Sequence, residues 1–192
     1  MHAEQRTVTW TAMEHGIRSD YEMLAPLADE HNRSALVDNL LGMLDRLKGP
    51  TLGYQINRYD HSLQSASRAL RAGERVDLVV GALLHDIGDV FAPENHSAAA
   101  ASVLAPYVDD ETHWVVKHHG VFQGYYYSHH LGGDRNARDR FAESPHYDAC
   151  VAFCAEYDQN CFDPGYDNLP IEAFRPLLDE VFTRPSRFVG AT

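Results

Sequence analysis

VDLVVGALLHDIGD, residues 76–89, decides the fold. Its first nine residues are apolar on every side apart from Asp77. A helix that is apolar all round is a buried one, so residues 76–87 are expected to form the central helix of the molecule. That helix ends in His85-Asp86. A buried aspartate beside a histidine costs several kcal/mol unless a cation or hydrogen bonds compensate it, and the helix macrodipole disfavours a carboxylate near a C-terminus. The pair therefore reads as half of a metal site delivered from the core.

Outward from this segment the apolar spacing is mostly three and four, and strand signals are nearly absent. Tyr21, Leu24, Leu27 and Ala28 form one stripe over residues 19–31. Asn32 and Ser34 offer turn and cap chemistry before a second helix, residues 35–48, with Leu36, Leu40, Leu44 and Leu47 on one face. Gly49-Pro50 ends it. Further helices are expected over residues 60–72, closed by Gly73, over 93–105, between Pro93 and Pro106, and from a cap at Asp109 or Asp110 through His119. Another begins at Pro145 and delivers Asp158, and a last one runs from Pro170 to about Phe182. Residues 120–134, with three consecutive tyrosines and Gly132-Gly133, read as a long irregular loop and a candidate lid. The expectation is one all-α bundle of about nine helices, residues 1–192, its N-terminal helices (19–48) packed on a core spanning 54–182.

Length and composition agree. At 192 residues, 44% hydrophobic and 23% charged, the chain suits a single globular domain. No apolar run approaches the roughly 18 residues that cross a membrane, and MHAEQRTVTW lacks the apolar stretch of a secretion signal. A cytoplasmic protein with no membrane partner is expected. A net charge of −12 argues against nucleic acid. Cys150, Cys154 and Cys161 are too few and too clustered for a disulfide framework, and the first two read as buried thiols on one helix face.

The remaining histidines and aspartates extend the metal reading. His61 opens HSLQSASRAL, His96 lies in PENHSAAAA, His119 ends VVKHH, and Asp158 sits in CAEYDQNCFD. Four ligands suit one metal, and six with a shared carboxylate suit two. Residues 118 and 119 face about 100° apart on a helix, so His118 and His119 cannot both point at one site.

The ordered set HSLQSA, LLHDIGD, a downstream NH, HHG and a late YD resembles the HD-domain superfamily. More narrowly it resembles the mixed-valent diiron oxygenase branch, which holds inositol oxygenase and the oxygenases that cleave carbon–phosphorus bonds. Length and KHHGVFQGYYYSHHLGGDRNAR favour the phosphonate type. The resemblance implies that His61, His85, Asp86 and Asp158 hold one iron, that His96 and His119 hold a second, and that Asp86 bridges. It selects His119 over His118. It implies dioxygen as co-substrate and cleavage of a 1-hydroxyphosphonate to a carboxylate and phosphate, without an organic cofactor. It also implies an earlier 2-oxoglutarate-dependent hydroxylase that installs the hydroxyl.

In one place the chain departs from this branch. Relatives carry a basic residue directly after the HDxG glycine, where this chain has Asp89. Asp89 with Tyr125, Tyr126 and Tyr127 suggests a cationic substrate end, as in 1-hydroxy-2-(trimethylammonio)ethylphosphonate or its unmethylated amine. Arg135, Arg138, Lys117 and Gln123, with His129 and His130, are candidate phosphonate donors. Tyr54 and Gln55 are candidates for a gate over the iron. The competing readings are an HD phosphohydrolase, a polyol oxygenase of the inositol type, and a degenerate binding module. Retention of all six ligands argues against the last.

Overall fold

A computed structural model of the chain describes residues 7–188; the first six residues of the N-terminal stretch discussed above and the last four lie outside it. Its secondary structure is entirely helical among the described residues. Seven α-helices are present: α1 (Arg18–Arg46), α2 (Arg58–Arg71), α3 (Val76–Leu84), α4 (His96–Leu104), α5 (Asp110–Tyr127), α6 (Tyr147–Phe153) and α7 (Arg175–Phe182). Short 3-10 turns and one π-helical turn, Cys154–Asp158, link them.

The count falls below nine in part because one expected break, at residues 32–34, does not occur and two expected helices are one. α1 runs unbroken through it from Arg18 to Arg46. Arg33 pairs with Asp29 one turn back at 2.6 Å, and the Ser34 hydroxyl donates to the His31 carbonyl at 3.2 Å. The Ser34 hydroxyl, expected to cap a helix start, is thus satisfied inside a continuous helix. The expected loop after His119 is also helix as far as Tyr127. Gly120 and Gly124 serve packing there: a Cβ at Gly120 would lie 2.8 Å from Ser97 Oγ, and one at Gly124 would lie 2.8 Å from Ser128 Oγ. Only residues beyond Tyr127 are irregular, and they begin with the 3-10 turn Ser128–Leu131.

α3 is buried from Asp77 to Leu84, as its unbroken apolar pattern requires. α2 packs on it, α5 and α7 flank it, and α4 and α6 pack on α5. Leu40, Leu44, Leu83, Leu84, Leu104, Phe122, Phe153, Phe174 and Leu178 fill the centre. Only the C-terminal part of α1 joins this core, through Val37, Leu40 and Leu44, while residues 25–34 are exposed. Cys150, Cys154 and Cys161 are buried free thiols. Among the described residues no helix is long and apolar enough to cross a membrane.

α2 buries polar side chains, which explains its Ser- and Gln-rich sequence. The Gln64 amide donates to the Asp163 carbonyl at 2.8 Å and accepts from the Asp163 amide at 3.1 Å. Ser67 Oγ accepts from the Leu169 amide at 2.9 Å, and Ser65 donates to the Tyr157 carbonyl. These contacts pin the chain that follows the π turn against the face of α2 that carries His61.

Candidate metal centre

Six elements deliver six side chains to one point. His61 comes from α2, and His85 caps the C-terminus of α3. The chain then leaves the helix, so Asp86 heads the 3-10 turn Ile87–Val90. Gly88 lets that turn press on the start of α4: a Cβ there would lie 2.3 Å from the His96 carbonyl oxygen. His96 opens α4 and His119 lies mid-way along α5. Asp158 ends the π turn, whose extra residue re-aims the side chain inward. His61, His85 and Asp158 are fully buried, and Asp86 and His119 nearly so.

The four histidines are oriented alike. The Nδ1 of His61 lies 2.9 Å from the Cys161 carbonyl, and that of His85 2.7 Å from Ala82. That of His119 lies 2.7 Å from Val116, and that of His96 3.2 Å from Pro93. Each ring donates its Nδ1 hydrogen to the backbone, which fixes the tautomer and points Nε2 at the centre, as a ligating histidine requires. His118 does not: its Nδ1 bonds the Trp114 carbonyl at 2.8 Å, and its ring stacks on Trp114 at 4.1 Å. Of the two neighbours, His119 alone enters the cluster.

Asp86 divides the cluster in two. Its Oδ2 lies 3.6 Å from Nε2 of both His61 and His85, and its Oδ1 lies 3.6 Å from His96 Nε2 and 3.4 Å from His119 Nε2. Asp158 Oδ1 lies 3.4 Å from His61 Nε2 and 3.8 Å from His85 Nε2. Two atoms bound about 2.1 Å from one metal at roughly 90–110° are about 3.0–3.4 Å apart. The observed spacings approach that range, and they fall into two sets that share one carboxylate.

The donors fit a cation for a second reason. His61 Nε2 and His85 Nε2 are 3.1 Å apart with both Nδ1 hydrogens committed elsewhere. Two lone pairs facing at that distance need a proton or a metal between them. His119 Nε2 and Asp158 Oδ2 are buried without a hydrogen-bond partner; each such orphan costs about 1–3 kcal/mol unless something binds it. The ionisation behaviour has the same sense. Burial opposes charge on Asp86 and Asp158, yet the histidines, with Arg58 also beside Asp86, hold both carboxyls down, Asp86 well below its usual value. Burial likewise opposes charge on His61 and His119, but Asp158 and Asp86 more than offset it and both shift upward. Burial holds His85 down at about 4. The centre demands positive charge, and a metal that displaces the histidine protons supplies it.

A cavity of about 430 Å³ opens onto the His96 side, with Tyr54, Arg58, Glu94, Lys117, Tyr127 and Phe162 in its wall. Gln123 also lines it, but its amide donates to Asp158 Oδ1 at 2.5 Å. Tyr54 stacks on Phe162, centroids 4.9 Å apart, and Phe162 stacks on His61 at 4.6 Å. Gln55 is exposed and Tyr126 half-buried, and neither lines this cavity. Nor do Arg135 and Arg138, which lie over the Tyr125 ring at 4.2 and 3.8 Å. Asp89 is engaged by Arg58 Nε at 3.4 Å and by His96 Nδ1 at 3.5 Å.

Arg58 is a residue the sequence reading passed over. Its guanidinium also reaches Asp86 Oδ2 at 3.2 Å. Its spacing of three from His61 puts both on one helix face, the signal that could have found it. Phe162 and Glu94 carried no such signal, since folding alone brings them to the cavity.

Residues 58–155 match the HD domain model. The chain belongs to the HD-domain family. All six residues of the cluster except Asp158 fall inside that match, and His85-Asp86 is the pair the family's name describes. The chain is also 30% identical over 115 residues to the [1-hydroxy-2-(trimethylamino)ethyl]phosphonate dioxygenase (glycine-betaine-forming) of Leisingera caerulea, an overlap covering 54% of this chain. The overlap spans 59% of that relative's length.

Proposed function

We propose that this HD-domain protein is a diiron oxygenase that uses dioxygen to cleave the C–P bond of a 1-hydroxyphosphonate. The observation that carries the reading is the Asp86 carboxylate, whose Oδ2 faces His61 and His85 while its Oδ1 faces His96 and His119. Two-metal hydrolases use such a division as well, so the need for dioxygen is what separates the two readings. The likeness to a phosphonate dioxygenase supports the same reading.

Bound in this centre, two irons of mixed valence would offer open coordination positions for substrate and dioxygen and relay electrons from the one to the other. The protein does the rest. His61, His85 and Asp158 enclose one position completely, while half-exposed His96 leaves the other open to the cavity. The aromatic ladder Tyr54–Phe162–His61 restricts water at the mouth. Gln123 fixes the orientation of Asp158, and Arg58 fixes that of Asp86. Lys117 offers the phosphonate a cation. The overall change balances: R–CH(OH)–PO3H2 plus O2 gives R–COOH plus H3PO4, with the C–P bond broken and carbon oxidised at the expense of dioxygen. With a trimethylammonio tail the product is glycine betaine, and with a free amine it is glycine. The substrate's hydroxyl requires a preceding hydroxylation at the carbon bonded to phosphorus, a reaction suited to a 2-oxoglutarate-dependent enzyme.

The test is phosphate release from 1-hydroxy-2-(trimethylammonio)ethylphosphonate by anaerobically purified, iron-loaded protein, before and after admission of air. Release that starts only with air supports the oxygenase. Release without oxygen, or turnover of ordinary phosphate esters with manganese, moves the protein to the phosphohydrolases.

A further inference from the structure

The charges of the cavity wall do not all have partners. Four charged side chains other than histidine line it: Arg58, Asp86, Glu94 and Lys117. Arg58 and Asp86 hold each other at 3.2 Å, and Arg58 also holds Asp89 at 3.4 Å. Among the described residues, Glu94 and Lys117 form no ion pair, so the wall keeps one uncommitted anion and one uncommitted cation. Glu94 sits in the 3-10 turn Pro93–Asn95 that leads into α4, and Lys117 lies on α5.

The aromatic rings divide in the same way. Tyr54 is covered by Phe162 and approached by Arg58 at 5.6 Å. Tyr125 is covered by Arg135 and Arg138. Tyr127, at the C-terminus of α5, lines the cavity and is 49% exposed, and among the described residues its ring takes part in no stack and no cation contact. A free carboxylate and an uncovered aromatic face in one wall are the two elements that attract an ammonium group. The uncommitted lysine in the same wall attracts an oxyanion.

We propose that this cavity selects a zwitterion, with Lys117 taking the phosphonate and Glu94 with Tyr127 taking a cationic tail. The proposal rests on the oxygenase reading only for the identity of the phosphonate end. It replaces Asp89, whose carboxylate is held by Arg58, as the acidic residue that reads the tail. A phosphonate with a neutral tail leaves Glu94 uncompensated in the wall and gains nothing from Tyr127. At a partly exposed mouth each of the two contacts is worth roughly a factor of three to five in affinity, so together they favour the cationic tail by about tenfold.

The ligands that separate tail charge from shape are 1-hydroxy-2-(trimethylammonio)ethylphosphonate and its neutral isostere 1-hydroxy-3,3-dimethylbutylphosphonate. Calorimetric titration of each into iron-loaded, oxygen-free protein measures binding without turnover. The wild-type protein is expected to prefer the zwitterion by about tenfold, a preference cut roughly three- to fivefold by Glu94→Gln and by Tyr127→Leu and retained by Tyr127→Phe. Lys117→Met weakens both ligands alike. Absence of a preference in the wild type, no binding of either ligand, or a preference unchanged in both Glu94→Gln and Tyr127→Leu overturns the proposal. If the preference behaves as stated but air releases no phosphate, the oxygenase reading fails and the zwitterion site stands.

Discussion

Replacing Gly88 by alanine tests how the second half of the cluster is positioned. The added Cβ would sit 2.3 Å from the His96 carbonyl oxygen, 2.5 Å from its Cα and 2.7 Å from its carbonyl carbon. All three are backbone atoms, so no side chain can rotate out of the way. Reaching an ordinary contact of about 3.5 Å needs a displacement on the order of 1 Å between the 3-10 turn and the start of α4. Two groups move apart in that step: Asp86, which heads the turn, and His96, which opens the helix. Their ligand atoms are 3.6 Å apart now, and another ångström takes them out of range of a shared metal. Overpacking of this kind costs about 1–3 kcal/mol. The His61, His85 and Asp158 side chains lie on other elements, so that side keeps three ligands even where Asp86 shifts. Urea unfolding and iron analysis of purified Gly88→Ala are therefore expected to give a stability loss in that range and one iron per chain, against two in the wild type. Two irons with an unchanged unfolding midpoint would refute the reasoning.

Other outcomes follow from the same geometry. His119→Ala is expected to lose one iron per chain, while His118→Ala keeps both and only loosens the packing against Trp114 and Phe141; equal metal loss in the two variants, read by elemental analysis, contradicts the assignment. Gln64→Ala removes both hydrogen bonds to the Asp163 backbone and is expected to cost about 1–3 kcal/mol in urea unfolding; a loss below a few tenths of a kcal/mol sinks the clamp. Burial and the hydrogen bond to Glu74 push the Tyr157 hydroxyl up to about 12. A folded value raised above the unfolded value near 10 gives stability that is complete below pH 10 and is lost as pH rises toward 12. The stability gap between wild type and Tyr157→Phe should accordingly narrow across that window, and a gap that widens would reverse the sign.

The fold class was legible because the information was local. Residues 76–84 are apolar with helix-compatible spacing, and no tertiary contact was needed to bury them. A cap at Asp109 or Asp110 was expected, and it is Asp109 that accepts from the Thr112 amide, at 2.7 Å. Boundaries were less legible where polar residues play two roles. Ser34 reads as a cap in sequence, yet it bonds back to its own helix. Residues 120–134 read as a loop, yet they are helix as far as Tyr127, where Gly120 and Gly124 each leave room for a serine. The six residues of the cluster were picked out by type and order, and the structure brings all six together. The wall of the cavity was less accessible to such reading. Arg135 and Arg138 look like phosphonate ligands because they are arginines near glycines, but Tyr125 takes both. Glu94, Tyr127 and Phe162 acquire a shared surface only when α4, α5 and the segment after the π turn converge.

In the reaction proposed for this centre, dioxygen and not water attacks the substrate carbon. Its most direct test is turnover of 1-hydroxy-2-(trimethylammonio)ethylphosphonate by iron-loaded protein under 18O2, with mass spectrometry of the carboxylate product. One 18O atom in each molecule of glycine betaine is the predicted result. Phosphate released without any label entering a carboxylate, or released equally well with dioxygen removed, would contradict it.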